Sequence, residues 1–245
     1  MGDSSILFFR VDQWLEIFVS LFLAIVAIVR YKKMSVSARA LPWVIVPECV
    51  LNNLDDYFKA HNISVTPVLY VSYFKNLVLL SVFFNYCIPL FTKYKVGVYM
   101  TICGTLFWVV VVMFYKPGAL PGIGPATLEV NDAAELAFMN YLAFFTLGCI
   151  AIALWALFVM FKNNSWELIR LDMNFWLLVV NVFMDSCGFI NSIIMPLASI
   201  KDIYAHRALY NFVSFIIDWL PGYFGTVAFG IIFLIFPKKN TYAKQ

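Results

Sequence analysis

Seven apolar segments separated by short polar loops constrain this chain more than any other feature. They cover residues 12–30, 41–58, 67–92, 97–115, 134–161, 172–198 and 209–236. A membrane-crossing helix needs about 20 largely apolar residues. The expected fold is therefore all-α: a polytopic membrane protein of seven transmembrane helices, forming one bundle over 1–245. Segment 41–58 is the least apolar. It opens on Leu41-Pro42-Trp43 and ends in Asn52-Asn53-Leu54-Asp55-Asp56. If it does not span, the count is six.

The loop charges decide for seven. Numbered through all seven segments, one side holds Arg30, Lys32, Lys33, Arg39, Lys93, Lys95, Lys162, Arg170, Lys238, Lys239 and Lys244, which is 11 of the 17 Lys and Arg. The other side holds Arg10, Lys59, Lys116, Lys201 and Arg207, and Lys75 falls within a segment. Lys and Arg collect in cytoplasmic loops, so the N-terminus is expected outside and the C-terminus inside. Without segment 41–58 as a span, this alternation fails in every later loop.

Composition agrees. Only 13% of residues are charged, about half the roughly 25% of a soluble domain, too few to cover a globular surface. The net charge of +3 is small and confined to loops, so no nucleic-acid partner is implied. The expected partners are lipids and other membrane-protein subunits. The expected location is an integral membrane site, an organelle inner membrane or the plasma membrane. Met1–Arg10 lacks the basic start and the small-residue cleavage site of a signal peptide, so any targeting is expected to be internal.

Motifs for chemistry are missing. Cys49, Cys87, Cys103, Cys149 and Cys187 all lie in apolar segments without a CxxC pair, and read as small buried hydrophobes. His61 and His206 sit in outer loops and cannot form a histidine-rich metal centre. The Pro- and Gly-rich loop 116–133 has no preceding strand and no Lys-Ser/Thr after its glycines, so it is not a phosphate cradle. No catalytic residue, metal site or cofactor is expected, and the chain is not expected to be an enzyme. Asn62-Ile63-Ser64 is a sequon on the expected outer side. Trp14, Trp43, Trp108, Trp166 and Trp219 fall near segment ends, as in an interfacial belt.

Charges inside the segments need a reason, because each is expensive to insert, roughly 2.5–3.5 kcal/mol. The candidates are Glu48, Asp55, Asp56, Lys75, Asp185 and Asp218. They form either a polar track for protons or ions, or pairs that hold helices together. Lys75 with Asp218 or Asp185 is the pairing the sequence puts first.

The architecture resembles the microbial rhodopsins, and local stretches add to it. Val36-Ser37-Ala38-Arg39 through Asp56-Tyr57-Phe58 looks like the first inner loop and second helix of proton-pumping members. Ser72-Tyr73-Phe74-Lys75-Asn76-Leu77 is similar to the family's third-helix Arg-Tyr-x-Asp-Trp-Leu pattern. Thr226-Val227-Ala228-Phe229-Gly230 has the shape of the retinal lysine followed by x-x-Phe-Gly. The resemblance places Thr226 at the retinal lysine and Gly222 at its aspartate counter-ion. Lys75 replaces the third-helix carboxylate and Ser72 the arginine before it. A Schiff base needs a primary amine, which Thr226 lacks. The resemblance thus implies an opsin-like bundle without chromophore. The expected function is a non-catalytic accessory subunit of a larger membrane complex, with energy-converting complexes among the candidates. The alternative is a channel, transporter or sensor that uses Lys75 and the intramembrane carboxylates.

Overall fold

The computed structural model describes residues 3–61, 66–115, 132–198 and 220–236. Among these residues the chain is all-helical. The long helices are α1 (Asp3–Arg30), α2 (Val36–Ala60), α3 (Thr66–Cys87), α5 (Val96–Tyr115), α6 (Asp132–Asn163), α8 (Met173–Ala198) and α9 (Leu220–Ile235). Between them lie a 3₁₀ turn (Tyr31–Lys33) and two short helices, α4 (Pro89–Lys93) and α7 (Trp166–Ile169). Three described helices are long and apolar enough to cross a membrane, over Trp14–Lys33, Ala143–Asn163 and Met173–Ile190. Val96–Val110 and Leu220–Ile235 are shorter apolar helices. The loop 116–131 and the start of the expected seventh segment lie outside the described residues.

One expected segment is broken. The third, 67–92, ends at Cys87, because Ile88 precedes Pro89 and is forced out of the helical region (φ −137°, ψ 149°). Pro89 then starts α4, where a missing N–H does no harm. Lys95 turns the chain from α4 into α5 with a φ of 53°, the left-handed region that disfavours a Cβ.

The helices pack in chain order as a closed ring, α1 on α2, α2 on α3, α3 on α5, α5 on α6, α6 on α8, α8 on α9, and α9 back on α1. Inside it, Leu23, Phe83, Phe84, Phe91, Leu177 and Phe229 are fully or almost fully buried in one core. Large apolar side chains such as Ile28, Leu106, Phe144, Phe158 and Phe183 face outward. Water would not tolerate so broad an apolar exterior, whereas lipid tails match it. With three helices apolar and long enough to span, this surface marks a helical membrane protein.

Close approaches rest on glycine. A Cβ on Gly97 of α5 would meet the Ser81 carbonyl oxygen and the Asn85 Cβ of α3. The Gly97 N–H is held by Asn85 Oδ1 at 3.2 Å. Backbone cannot yield as a flexible side chain does, so Gly97→Ala should push α5 off α3. The expected loss is about 2 kcal/mol, in the range of overpacked cores. Thermal unfolding in detergent would check it, and a variant melting with the parent would refute it. Gly225 faces only the flexible end of Met184 and should accept alanine more readily.

Candidate functional site

Lys75 is a partly buried cation between α2 and α3, and its ion-pair partner is Glu48. The two sit on α3 and α2, with Nζ–Oε1 at 2.9 Å and side chains 17% and 26% exposed. Ser72, Lys75 and Asn76 are spaced i, i+3, i+4, which puts them on one face of α3. All three donate to the same Glu48 oxygen, Ser72 Oγ at 2.6 Å and Asn76 Nδ2 at 2.8 Å. Lys75 also donates to the Val44 carbonyl, 2.7 Å away and one turn before Glu48. Pro42 and Pro47 lie within α2, where each withholds an N–H from the helix ladder. The carbonyls left without a helix partner are those of Ala38 and Trp43, the latter next to Val44. The result is a clamp: one carboxylate oxygen saturated by three donors, and an ammonium shared between a charge and a carbonyl.

The other sequence candidates fall elsewhere. Asp185 does not meet Lys75. Its Oδ2 accepts from Asn181 Nδ2 at 2.6 Å, one turn back along α8. Asp55 and Asp56 ride on the second half of α2, but their side chains lie outside the described set, as does all of Asp218. Thr226 is buried on α9, and its hydroxyl donates to the Gly222 carbonyl of its own helix at 2.8 Å. His61 ends α2, with Nδ1 2.8 Å from the Tyr57 carbonyl. No group of three or more His, Cys, Asp or Glu able to hold a metal occurs among the described residues. No disulfide joins the described cysteines, of which Cys87 and Cys149 are buried and Cys103 is exposed.

Sequence reasoning missed a second polar cluster. Asn174, buried at the start of α8, accepts from Ser37 Oγ at 2.8 Å and Ser35 Oγ at 3.2 Å. Its amide donates to the Cys87 carbonyl at the end of α3, at 2.9 Å. Ser35 also caps α2, taking the Ala38 N–H at 3.2 Å. One side chain thereby joins the ends of α2, α3 and α8. At the same end, Arg30 of α1 donates to the Phe233 and Leu234 carbonyls of α9, at 3.0 and 2.5 Å. Carbonyls in the last turn of a helix lack intrahelical partners, and a cation there is favoured by the helix dipole. The signal for this cluster was the polar set Ser35-x-Ser37 and Asp172-x-Asn174 at segment starts.

Asp172 caps α8 from just outside it. Its Oδ1 takes the Asn174 N–H at 2.8 Å, while Oδ2 is buried without a hydrogen-bond partner. Burial pushes its pKa from 3.8 up to about 6, against the lowering effect of the Asn174 N–H. The folded state therefore binds the proton more tightly than the unfolded chain does. This stabilisation is fully present below pH 4 and is lost as pH rises through about 6. The melting temperature should fall between about pH 4 and pH 6 and level off above that. Asp172→Asn keeps the capping oxygen and should flatten this fall, raising neutral-pH stability on the order of 2 kcal/mol. An unchanged pH profile in the variant would rule the effect out.

Fold and polar geometry together define an all-helical membrane protein whose helices are tied by buried hydrogen-bond and ion-pair clamps. Searches against protein-family models, characterised proteins and solved structures return no match to this chain.

Proposed function

We propose that this chain is a seven-span membrane protein, N-terminus outside, that serves as a non-catalytic accessory subunit of a larger membrane assembly. The observation that carries this reading is the Glu48–Lys75 clamp. Its donors on α3 converge on the Glu48 carboxylate and the Val44 carbonyl of α2 rather than on a space where a reacting atom would sit. Buried pairs of this kind fix helix register more than they add stability. The ring of seven helices, three of them long and apolar enough to span, and the one-sided loop charge support this reading. On the opsin-like reading, Thr226, closed on its own helix, supports a bundle that has given up its chromophore.

A channel, transporter or sensor is the second reading. It is favoured by Asn76 Oδ1 and Ser81 Oγ, two buried atoms of α3 without hydrogen-bond partners, which water could satisfy.

Gentle native extraction, followed by size analysis and an absorption spectrum, tests the first reading. A large co-migrating assembly without a visible band is the expected result. A small species absorbing in the visible would overturn it. Lys75→Met then separates the two readings. Lost assembly without a change in ion flux fits a scaffold, and lost flux with assembly intact fits a conduit.

A further inference from the structure

The polar contacts above bring the C-terminal ends of α1, α3, α6 and α9 and the N-terminal ends of α2, α5 and α8 to one end of the bundle. That end carries Arg30, Lys32, Lys33, Arg39, Lys93, Lys95, Lys162 and Arg170. Its described acids are Glu167 and the buried Asp172. Arg30 and Arg39 are occupied by backbone carbonyls. Lys93, Lys95, Lys162 and Arg170 are exposed, and none is in an ion pair among the described residues.

These four lie on two neighbouring corners. The α4–α5 corner reaches α6 through Phe91, whose ring is 4.8 Å from that of Trp155. The α6–α8 turn folds over a ring cluster in which Trp166 stacks on Phe161 at 6.2 Å and meets Phe175 edge-on at 5.8 Å. Ile169 is sealed inside, while Trp166 and Leu168, between Lys162 and Arg170 in the chain, and Leu171 just after them are exposed. Indole and leucine at the boundary with cations beside them suit an interface with an apolar side and an anionic side.

We propose that these two corners form a surface that selects anionic phospholipids, with the headgroup phosphates against Lys93, Lys95, Lys162 and Arg170. The proposal rests on the membrane reading. A retained charge near an anionic bilayer strengthens attraction by about fivefold. The aromatic cluster sets the depth at which the charges lie.

The test uses the full chain in nanodiscs of phosphatidylcholine alone or mixed with phosphatidylglycerol, followed by mass analysis of the lipid retained after exchange into detergent. The parent should retain phosphatidylglycerol in about fivefold excess or more over its share in the disc, less so in high salt. A variant combining Lys93→Gln, Lys95→Gln, Lys162→Gln and Arg170→Gln should lose that excess, while Lys32→Gln with Lys33→Gln should keep it. Inorganic phosphate added to the detergent-solubilised protein should not raise its melting temperature. Equal retention of both lipids, an undiminished excess in the four-site variant, or equal protection by inorganic phosphate would each overturn the proposal. A chain that stays soluble without detergent and enters no disc would overturn the membrane reading itself, a result distinct from entry without preference.

Discussion

Glu48→Leu should be among the most damaging single changes in the described bundle, lowering stability by about 3–4 kcal/mol. It removes the common acceptor of Ser72, Lys75 and Asn76. The Lys75 ammonium would be left with the Val44 carbonyl alone among its described partners. Breaking a buried pair from one side costs about 3–5 kcal/mol, and the partial exposure of both side chains sets the estimate toward the low end. The order of effects is more telling than the size. Lys75→Met should do less harm, because Ser72 and Asn76 still serve the carboxylate. Glu48→Gln should do least, because an amide oxygen keeps all three donors occupied. Glu48→Gln combined with Lys75→Met should recover part of what Lys75→Met loses. Denaturant or thermal unfolding of the purified variants decides this. A Glu48→Leu protein as stable as the parent, or a reversed order, would mean that the clamp does not hold α2 to α3.

Asn174→Leu should come next, with a loss of about 2–4 kcal/mol. Leucine keeps the branched outline of asparagine but removes every hydrogen bond, and its bulkier methyl groups add to the strain at this buried site. The Cys87 carbonyl loses its side-chain donor, and Ser35 and Ser37 keep each other, 2.8 Å apart, but lose their shared acceptor. Each buried group left unmatched costs about 1–3 kcal/mol. Protease accessibility of the 3₁₀ turn after α1 should rise as the ends of α2, α3 and α8 separate. A leucine variant with unchanged protection and melting would show that the three helix ends are held by their apolar packing.

The long helices were legible in the sequence because an apolar stretch bounded by charge, Pro or Gly needs no tertiary information. The break at Ile88 could be read too, from Pro89 alone, yet the run of apolar residues across it hides the corner. Partner choice was not legible. Lys75 had several carboxylates within reach of a bundle, and only the placement of α2 beside α3 selects Glu48 over Asp185. In hindsight Ser72, Lys75 and Asn76 share a helix face, and Val44 and Glu48 share one on α2. That spacing says which residues are available together, not what stands opposite. The Asn174 cluster escaped notice because its members are small neutral residues at segment starts, where serine and asparagine are ordinary caps. Nothing local to Ser37 or Cys87 reveals that one amide will join them across 87 and 137 positions.

The grip of Arg30 on the last turn of α9 also bears on how the chain is made. α1 leaves the ribosome early and α9 late, separated by more than 200 positions. Until α9 has been made, Phe22 of α1, which packs beside Gly230, lacks its neighbour on that side. The ring therefore closes last at its first member. A chain stalled before Leu220 would present an open seam and an unsatisfied arginine at the bilayer edge, a signature for membrane quality control to recognise. Biosynthetic timing, as much as the energy of the finished bundle, is written into that contact.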